Sequence, residues 1–180
     1  ADHPPPGTNV ELPRPVAVVR ELVGGQAPAF PVLADLVRNG FVILEQAVAH
    51  EQIDALYASI DEAWNSKDDR YKVQTGHGDY IQLSEADRSK ALVKLLDVYV
   101  YEPLGWKICF ADPIEEFLHT IFEDDIIAFQ NLTFEVGSTQ AIHQDTAYVV
   151  VSEPLKLAAS WIALEDIAEG SGELQYYPGS

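Results

Sequence analysis

A histidine and an aspartate two positions apart, His143 and Asp145, are the residues with the clearest potential for chemistry. They lie in FQNLTFEVGSTQAIHQDTAY, residues 129–148, whose composition predicts two strands joined by a turn at residues 137–139. Residues two apart on a strand point to the same face, so the imidazole and the carboxylate would lie side by side. Such a pair supplies two of the three ligands of the 2-His-1-carboxylate set that holds non-haem iron(II).

The sequence of His143 and Asp145 also permits a plainer, structural interpretation. Three-residue patterns are common, and a buried histidine beside an acceptor at a strand end has the same spacing. From these residues alone both interpretations stay open, and the plainer one is the more common.

Two further motifs follow the histidine and the aspartate. Residues 159–166 (ASWIALED) predict a strand, and residues 170–180 (GSGELQYYPGS) predict a polar turn, a short strand and a second turn. The order HxD, WxALxD and GxLxxxPGS resembles the phytanoyl-CoA dioxygenase family over residues 39–180. That resemblance implies an iron(II)- and 2-oxoglutarate-dependent oxygenase.

The fold implied by the resemblance is mainly β with flanking helices, a double-stranded β-helix (jelly-roll) of the cupin type. We expect residues 1–15, rich in proline, to form an extended arm. Residues 16–180 would then be the N-terminal part of the oxygenase domain, with a helical segment at 50–123. A jelly-roll has about eight strands, and the sequence suggests four, at 126–136, 141–151, 157–164 and 173–177. We expect the remaining strands downstream of Ser180.

Several earlier segments have their own signals. Apolar residues at helical spacing predict helices at 31–38, 50–64 and 84–99, and Asp112-Pro113 opens another, with Asp112 as its N-cap. Residues 41–44 (FVIL) predict a buried strand. Residues 65–80 are polar and predict a loop, in which His77 could touch substrate, although an exposed histidine is the more usual state.

The resemblance also assigns roles within the site. His143 as a neutral imidazole and Asp145 as a carboxylate would bind Fe(II), and the third ligand, a histidine, is expected downstream of Ser180. The arginine that binds the far carboxylate of 2-oxoglutarate is expected there too. Trp161 would line the cosubstrate pocket, with ordinary core packing as the alternative, and Gln130 would lie near the cosubstrate.

The reaction implied by the resemblance consumes O2 and 2-oxoglutarate and releases succinate and CO2. An unactivated C–H bond of a small-molecule metabolite would become hydroxylated. The carboxylate of Asp145 favours hydroxylation, since halogenating relatives have a small residue at this position. Two alternatives remain: a non-catalytic jelly-roll that binds a ligand, and a zinc-dependent hydrolase that uses the same histidine and aspartate.

Composition limits the partners. The chain has 29 acidic and 11 basic residues and a formal charge of −18, which argues against nucleic acid and anionic membranes as partners because both require basic surfaces. A single cysteine, Cys109, suits a reducing compartment, so we predict a cytoplasmic protein. The sequence does not indicate an oligomeric state.

Overall fold

A computed structural model describes residues 31–76, 78–136, 141–152, 156–170 and 173–179. The predicted arm at 1–15, the predicted turn at 137–139 and His77 lie outside these residues. The chain divides into two compact units, one comprising residues 1–43 and 177–180 and the other residues 44–176.

The first unit contains helix α1, Pro31–Asn39, close to the predicted helix at 31–38. Gly40 ends it in the left-handed region, with φ +81°, and its N–H donates to the carbonyl of Leu36 at 2.8 Å, as expected for a glycine after a helix. Residues 41–44 were predicted as a strand, and this prediction is wrong, because they have no regular secondary structure.

The second unit contains four short strands: β1 (Lys72–Gln74), β2 (Tyr80–Gln82), β3 (Lys94–Leu96) and β4 (Leu132–Phe134). They form one sheet in the order β2-β1-β3-β4, and every neighbouring pair is antiparallel. Gln74 lies opposite Tyr80 on one side and Lys94 on the other, and Lys94 lies opposite Phe134. These four residues mark one end of the sheet.

The second unit also contains four helices: α2 (His50–Ser66), α3 (Val98–Tyr101), α4 (Pro103–Cys109) and α5 (Asp112–Phe122). Helix α2 extends the prediction for 50–64 by two residues. Asp112 is the first helical residue of α5 and not its N-cap, which is Ala111. None of the helices formed by the described residues has the length and apolar character that crossing a bilayer requires.

The core of the second unit lies between α2 and the sheet. Leu56, Ile60 and Ala63 on the apolar stripe of α2 pack with the central sheet residues Val73 and Leu95, which are almost completely buried. Tyr71, Leu83, Val98 and Ile108 complete the buried cluster. Removing these side chains from water is the main stabilising contribution, roughly 1.5–3 kcal/mol for each large aliphatic residue.

The predicted helix at 84–99 is wrong. This segment contains a 3-10 turn (Leu83–Glu85), then β3, then the start of α3. Leu92 and Asp97 have positive φ values of 66° and 49°, which a continuous α-helix does not permit. Pairing of β3 with β1 and β4 buries Leu95, so tertiary contacts outweigh the helical spacing of the leucines.

The strand predictions hold only in part. Residues 126–136 contain the three-residue β4, residues 65–80 contain β1 in addition to loop, and the described residues of 141–151, 157–164 and 173–177 contain no strand. A strand needs a hydrogen-bonding neighbour, and a composition rich in β-branched residues does not provide one. The described architecture is therefore a small antiparallel sheet with helices.

Candidate metal centre

The side chains of His143 and Asp145 lie together: Nε2 of His143 is 3.3 Å from Oδ1 of Asp145. The local backbone differs from the prediction. Asp145 opens a 3-10 turn, Asp145–Ala147, and the residues before it are extended without belonging to a strand. The imidazole and the carboxylate therefore meet across the start of a turn and not along the face of a strand.

A backbone carbonyl orients His143. Its Nδ1 lies 2.8 Å from the carbonyl oxygen of Ala141, and because a carbonyl can only accept, Nδ1 carries the proton and donates. In the neutral imidazole Nε2 then presents its lone pair to the carboxylate of Asp145. Two lone pairs at this distance need a proton or a cation between them, which makes the pair a candidate cation site.

The spacing agrees with two ligands of one ion. Ligands at adjacent positions of an octahedral ion, with bonds of about 2.0–2.2 Å, lie about 3 Å apart. The observed 3.3 Å between nitrogen and oxygen is close to this separation. One imidazole nitrogen and one carboxylate oxygen also match the donor types that iron(II) takes in a facial triad. Within the described residues no group of three His, Cys, Asp or Glu side chains could hold a metal ion.

Two tyrosines that the sequence analysis missed lie beside the pair. The ring of Tyr148 contacts the ring of His143 edge to face, with centroids 5.2 Å apart. Partial desolvation, and after it the negative charge of Asp145, raises the pKa of the phenol of Tyr176, a residue that is 55% exposed. Tyr148 is three residues after Asp145, a spacing that a 3-10 turn brings to one side, but the sequence predicted a strand here and so carried no signal for this contact.

Trp161 and Gln130, the predicted cosubstrate residues, are not part of this contact pair. Both lie on segments without regular secondary structure, and both side chains are exposed. Trp161 is 48% exposed, so it is not an ordinary core residue. The neighbouring Ile162 and Leu164 pack against the core cluster and anchor the segment that carries Trp161.

His119 is a surface residue of α5. Its Nδ1 lies 2.9 Å from the carbonyl oxygen of Asp124, and its Nε2 lies 3.7 Å from a carboxylate oxygen of Glu115. It has no contact with the His143–Asp145 pair among these interactions, so it serves as a reference histidine for experiments on the candidate centre.

A histidine nitrogen and a carboxylate oxygen are two of the three protein ligands with which the class of non-haem iron oxygenases holds its metal. Residues 36–180 match the family model described as phytanoyl-CoA dioxygenase (PhyH). The chain belongs to this family, whose members have a cupin-like fold and in general act as dioxygenases with Fe(II), 2-oxoglutarate and O2 on small-molecule substrates. No curated protein and no solved structure matches the chain.

Proposed function

We propose that this protein is an Fe(II)/2-oxoglutarate-dependent dioxygenase that hydroxylates an unactivated C–H bond of a small-molecule metabolite. The reaction would be coupled to oxidative decarboxylation of 2-oxoglutarate to succinate and CO2. The observation that carries this proposal is the 3.3 Å contact between Nε2 of His143 and Oδ1 of Asp145, in a chain whose family uses iron(II) and 2-oxoglutarate.

His143 and Asp145 would hold the iron, with a histidine downstream of Ser180 as the predicted third ligand. Donation from Nδ1–H to the carbonyl of Ala141 selects the neutral tautomer in which Nε2 carries the lone pair that a ligand needs. The carboxylate of Asp145 would supply negative charge to the cation, at a position where halogenating relatives have a small residue. When bound, iron and 2-oxoglutarate supply the oxidising power of the reaction.

We also propose that residues 16–180 form the N-terminal part of a double-stranded β-helix domain, in which Trp161 and Gln130 lie near the cosubstrate. The family's cupin-like fold supports this assignment. The exposure of Trp161, on a segment that Ile162 and Leu164 anchor to the core, supports a side chain available to a ligand.

The test uses the full-length protein under anaerobic conditions, to which iron(II) and then 2-oxoglutarate are added. We expect a metal-to-ligand charge-transfer band in the visible region, and succinate release after oxygen is admitted. His143→Ala and Asp145→Ala should both lose the band, whereas His119→Ala, a matched change at a surface histidine, should retain it.

Two results would contradict the proposal. A full-length protein with neither the band nor succinate release would favour a non-catalytic ligand-binding jelly-roll. Hydrolysis that requires zinc and proceeds without 2-oxoglutarate would favour a zinc hydrolase with the same two ligands. Full turnover by either alanine variant would show that the ligand assignment is wrong.

A further inference from the structure

A cavity of about 340 Å³ lies between the β1–β2 hairpin and the segment at residues 87–93. We call it the Leu92 pocket. Its walls are mainly aliphatic, from Ile81, Ala91, Leu92 and Val93. The volume lies at the small end of the range for small-molecule pockets, about 300–1,000 Å³, so it suits a compact metabolite and not a complete coenzyme A conjugate.

The wall of the Leu92 pocket includes an unpaired hydroxyl. Within the described residues, Oγ1 of Thr75 is the buried side-chain polar atom that has no hydrogen-bond partner. The backbone N–H of Thr75 donates to the carbonyl of Asp79 at 2.9 Å, so the hydroxyl alone is unsatisfied. Buried polar groups in folded proteins nearly always have a partner. A ligand in the pocket could provide one after a rotation of the threonine side chain.

The backbone beside this hydroxyl is strained. Leu92 has φ +66°, a region that a bulky residue rarely adopts. Gly76 packs directly on it: a Cβ atom added to Gly76 would lie 2.8 Å from Cδ1 and 2.9 Å from Cβ of Leu92. Strained residues are held in place by their surroundings and are concentrated at binding sites, and here the strain and the unpaired hydroxyl share one pocket.

The rim of the Leu92 pocket carries one charge of each sign. Nζ of Lys90 lies 3.8 Å from Oδ2 of Asp87. The other oxygen of Asp87, Oδ1, accepts from the N–H and the hydroxyl of Ser89 at 3.1 and 2.7 Å. The rim therefore offers an ammonium and an acceptor oxygen, Oδ2, whose contact with Lys90 is long.

These charges select a class of ligand. An anion would face the carboxylate of Asp87 at the rim, and a cation would face the ammonium of Lys90. A zwitterion is neutral overall and matches both groups, because its ammonium can donate to Asp87 while its carboxylate accepts from Lys90 and Thr75.

The Leu92 pocket lies at the end of the sheet at which β4 ends, and His143 follows β4 in the sequence. Thr75 and Val93 directly adjoin Gln74 and Lys94, a cross-strand pair at that end. β4 ends there as well, at Phe134, opposite Lys94. Arg88, in the pocket segment, donates through Nε to Glu135, the residue after β4, at 2.8 Å. The pocket segment is thus attached to the chain that leads to the candidate metal centre.

We propose that the Leu92 pocket binds a small zwitterion of the α-amino-acid type with a branched aliphatic side chain. The aliphatic part packs against Leu92 and Val93, and the charged part lies at the rim. We assign this ligand as the substrate of the oxygenase, an assignment that rests on the proposed function, whereas the binding itself does not.

The experiment titrates the full-length protein, with labelled leucine, valine and isoleucine methyl groups, against three probes of similar shape. These are L-leucine, 4-methylpentanoate, which lacks the ammonium, and 3-methylbutylamine, which lacks the carboxylate. We expect saturable NMR shifts at Leu92 and Val93 with L-leucine, and at least tenfold weaker binding of the other two. If 4-methylpentanoate bound as tightly as L-leucine, the proposal that the ligand is a zwitterion would be wrong. If no probe shifted the methyl signals, the proposal that the pocket is a binding site would be wrong.

Two variants test the polar contacts. Thr75→Val and Lys90→Gln should each weaken L-leucine binding at least fivefold, whereas Lys107→Gln, the same charge change on α4, should leave it unchanged. Thr75→Val should melt no lower than the parent, because it removes a hydroxyl that has no partner. Unchanged affinity in both variants would overturn the assignment.

Binding and oxygenase activity are separated by repeating the titration without iron and in Asp145→Ala. Saturable binding under both conditions would show that the pocket binds its ligand without the iron centre. The pocket would then stand even if the full-length parent consumed no 2-oxoglutarate and the proposed function failed. Binding of L-leucine that does not stimulate succinate release by an active enzyme would overturn the assignment of this ligand class as substrate.

Discussion

The rings of His143 and Tyr148 meet edge to face, with an interplanar angle of 86° and centroids 5.2 Å apart. The backbone N–H of Tyr148 also donates to the carbonyl of Asp145 at 2.8 Å. One turn of chain therefore fixes the tyrosine relative to both proposed iron ligands. Edge-to-face packing restricts rotation of the imidazole, while the carbonyl of Ala141 holds its Nδ1.

Replacement of Tyr148 tests this support. We expect Tyr148→Ala to weaken iron(II) binding by the full-length protein about tenfold, the lower end of the range for groups that orient a ligand. Tyr148→Phe keeps the ring and should bind iron like the parent. Anaerobic iron(II) titration measures both variants, and an alanine variant with unchanged affinity would show that the ring does not position His143.

Arg88 joins distant parts of the second unit. Nη1 lies 2.7 Å from Oδ1 of Asp61 on α2, and Nε and Nη2 form a two-pronged contact with the carboxylate of Glu135 after β4. The guanidinium also lies 5.8 Å from the ring centroid of Trp64. The hydrogen bond to Glu135, and after it the bond to Asp61, raises the pKa of Arg88, so the charge is permanent.

We expect Arg88→Gln to lower the free energy of unfolding by about 1–2 kcal/mol, because a two-pronged ionic contact contributes more than a single exposed pair. Arg88→Lys keeps the charge but cannot make the two-pronged contact, so its free energy of unfolding should lie between those of Arg88→Gln and the parent. Urea denaturation measures both variants. Arg70→Gln is the matched control, since Arg70 pairs with Asp68, only two positions away in the sequence. If Arg70→Gln lost as much free energy of unfolding as Arg88→Gln, the contacts of Arg88 would have no special role in stability.

The end of α2 offers a stabilising substitution. Lys67 caps the helix in the left-handed conformation, with φ +56°, and its N–H bonds to carbonyls of the last turn. Since this conformation costs an L-residue about 1 kcal/mol and glycine almost nothing, Lys67→Gly should raise the free energy of unfolding by about that amount. Lys67→Ala retains Cβ and should give no such gain. Thermal or urea denaturation compares the two, and equal stabilities would contradict the prediction.

Stability should depend on pH through Asp68. The hydrogen bond from the side chain of Arg70, with Nε 3.0 Å from Oδ1, lowers the pKa of this carboxyl. A carboxyl whose pKa is lower in the folded state stabilises the fold above its unfolded value of about 3.9, and this contribution is lost as pH falls through the folded value. The stability difference between the parent and Asp68→Asn should therefore be constant near neutral pH and shrink below about pH 4.

The titration of Asp68 can be followed directly by carboxyl NMR. Its midpoint in the parent should lie below that in Arg70→Gln, in which the donor is absent. Equal midpoints in the two proteins would show that Arg70 does not lower the pKa.

Helices α1, α2 and α5 could be predicted because their signals are local: apolar residues three and four apart in all three, and in α1 and α5 a glycine or proline near an end. The segment with Leu92 and Leu95 has the same spacing, yet it forms a turn and a strand. Its partners, β1 and β4, come from distant parts of the chain, and nothing in the segment itself reveals them. The predicted strands after β4 failed for the same reason, since strand pairing is a property of two segments.

The candidate site, like the fold, could be predicted from the sequence only in part. The contact between His143 and Asp145 could be predicted from their spacing. The backbone conformation that brings them together could not, because a 3-10 turn at Asp145 replaces the expected strand. The unpaired hydroxyl of Thr75 and the left-handed Leu92 had no signal at all, since both arise from packing between separate segments.

The group that aligns the imidazole of His143 is a main-chain oxygen, and main-chain atoms are the same in every genetic variant. Residue 141 can therefore change its side chain through evolution or engineering while the anchor for Nδ1 persists, provided that the local backbone path survives. Designers who wish to loosen this histidine will have to alter the course of the chain, because no exchange of side chains at residue 141 deletes that oxygen.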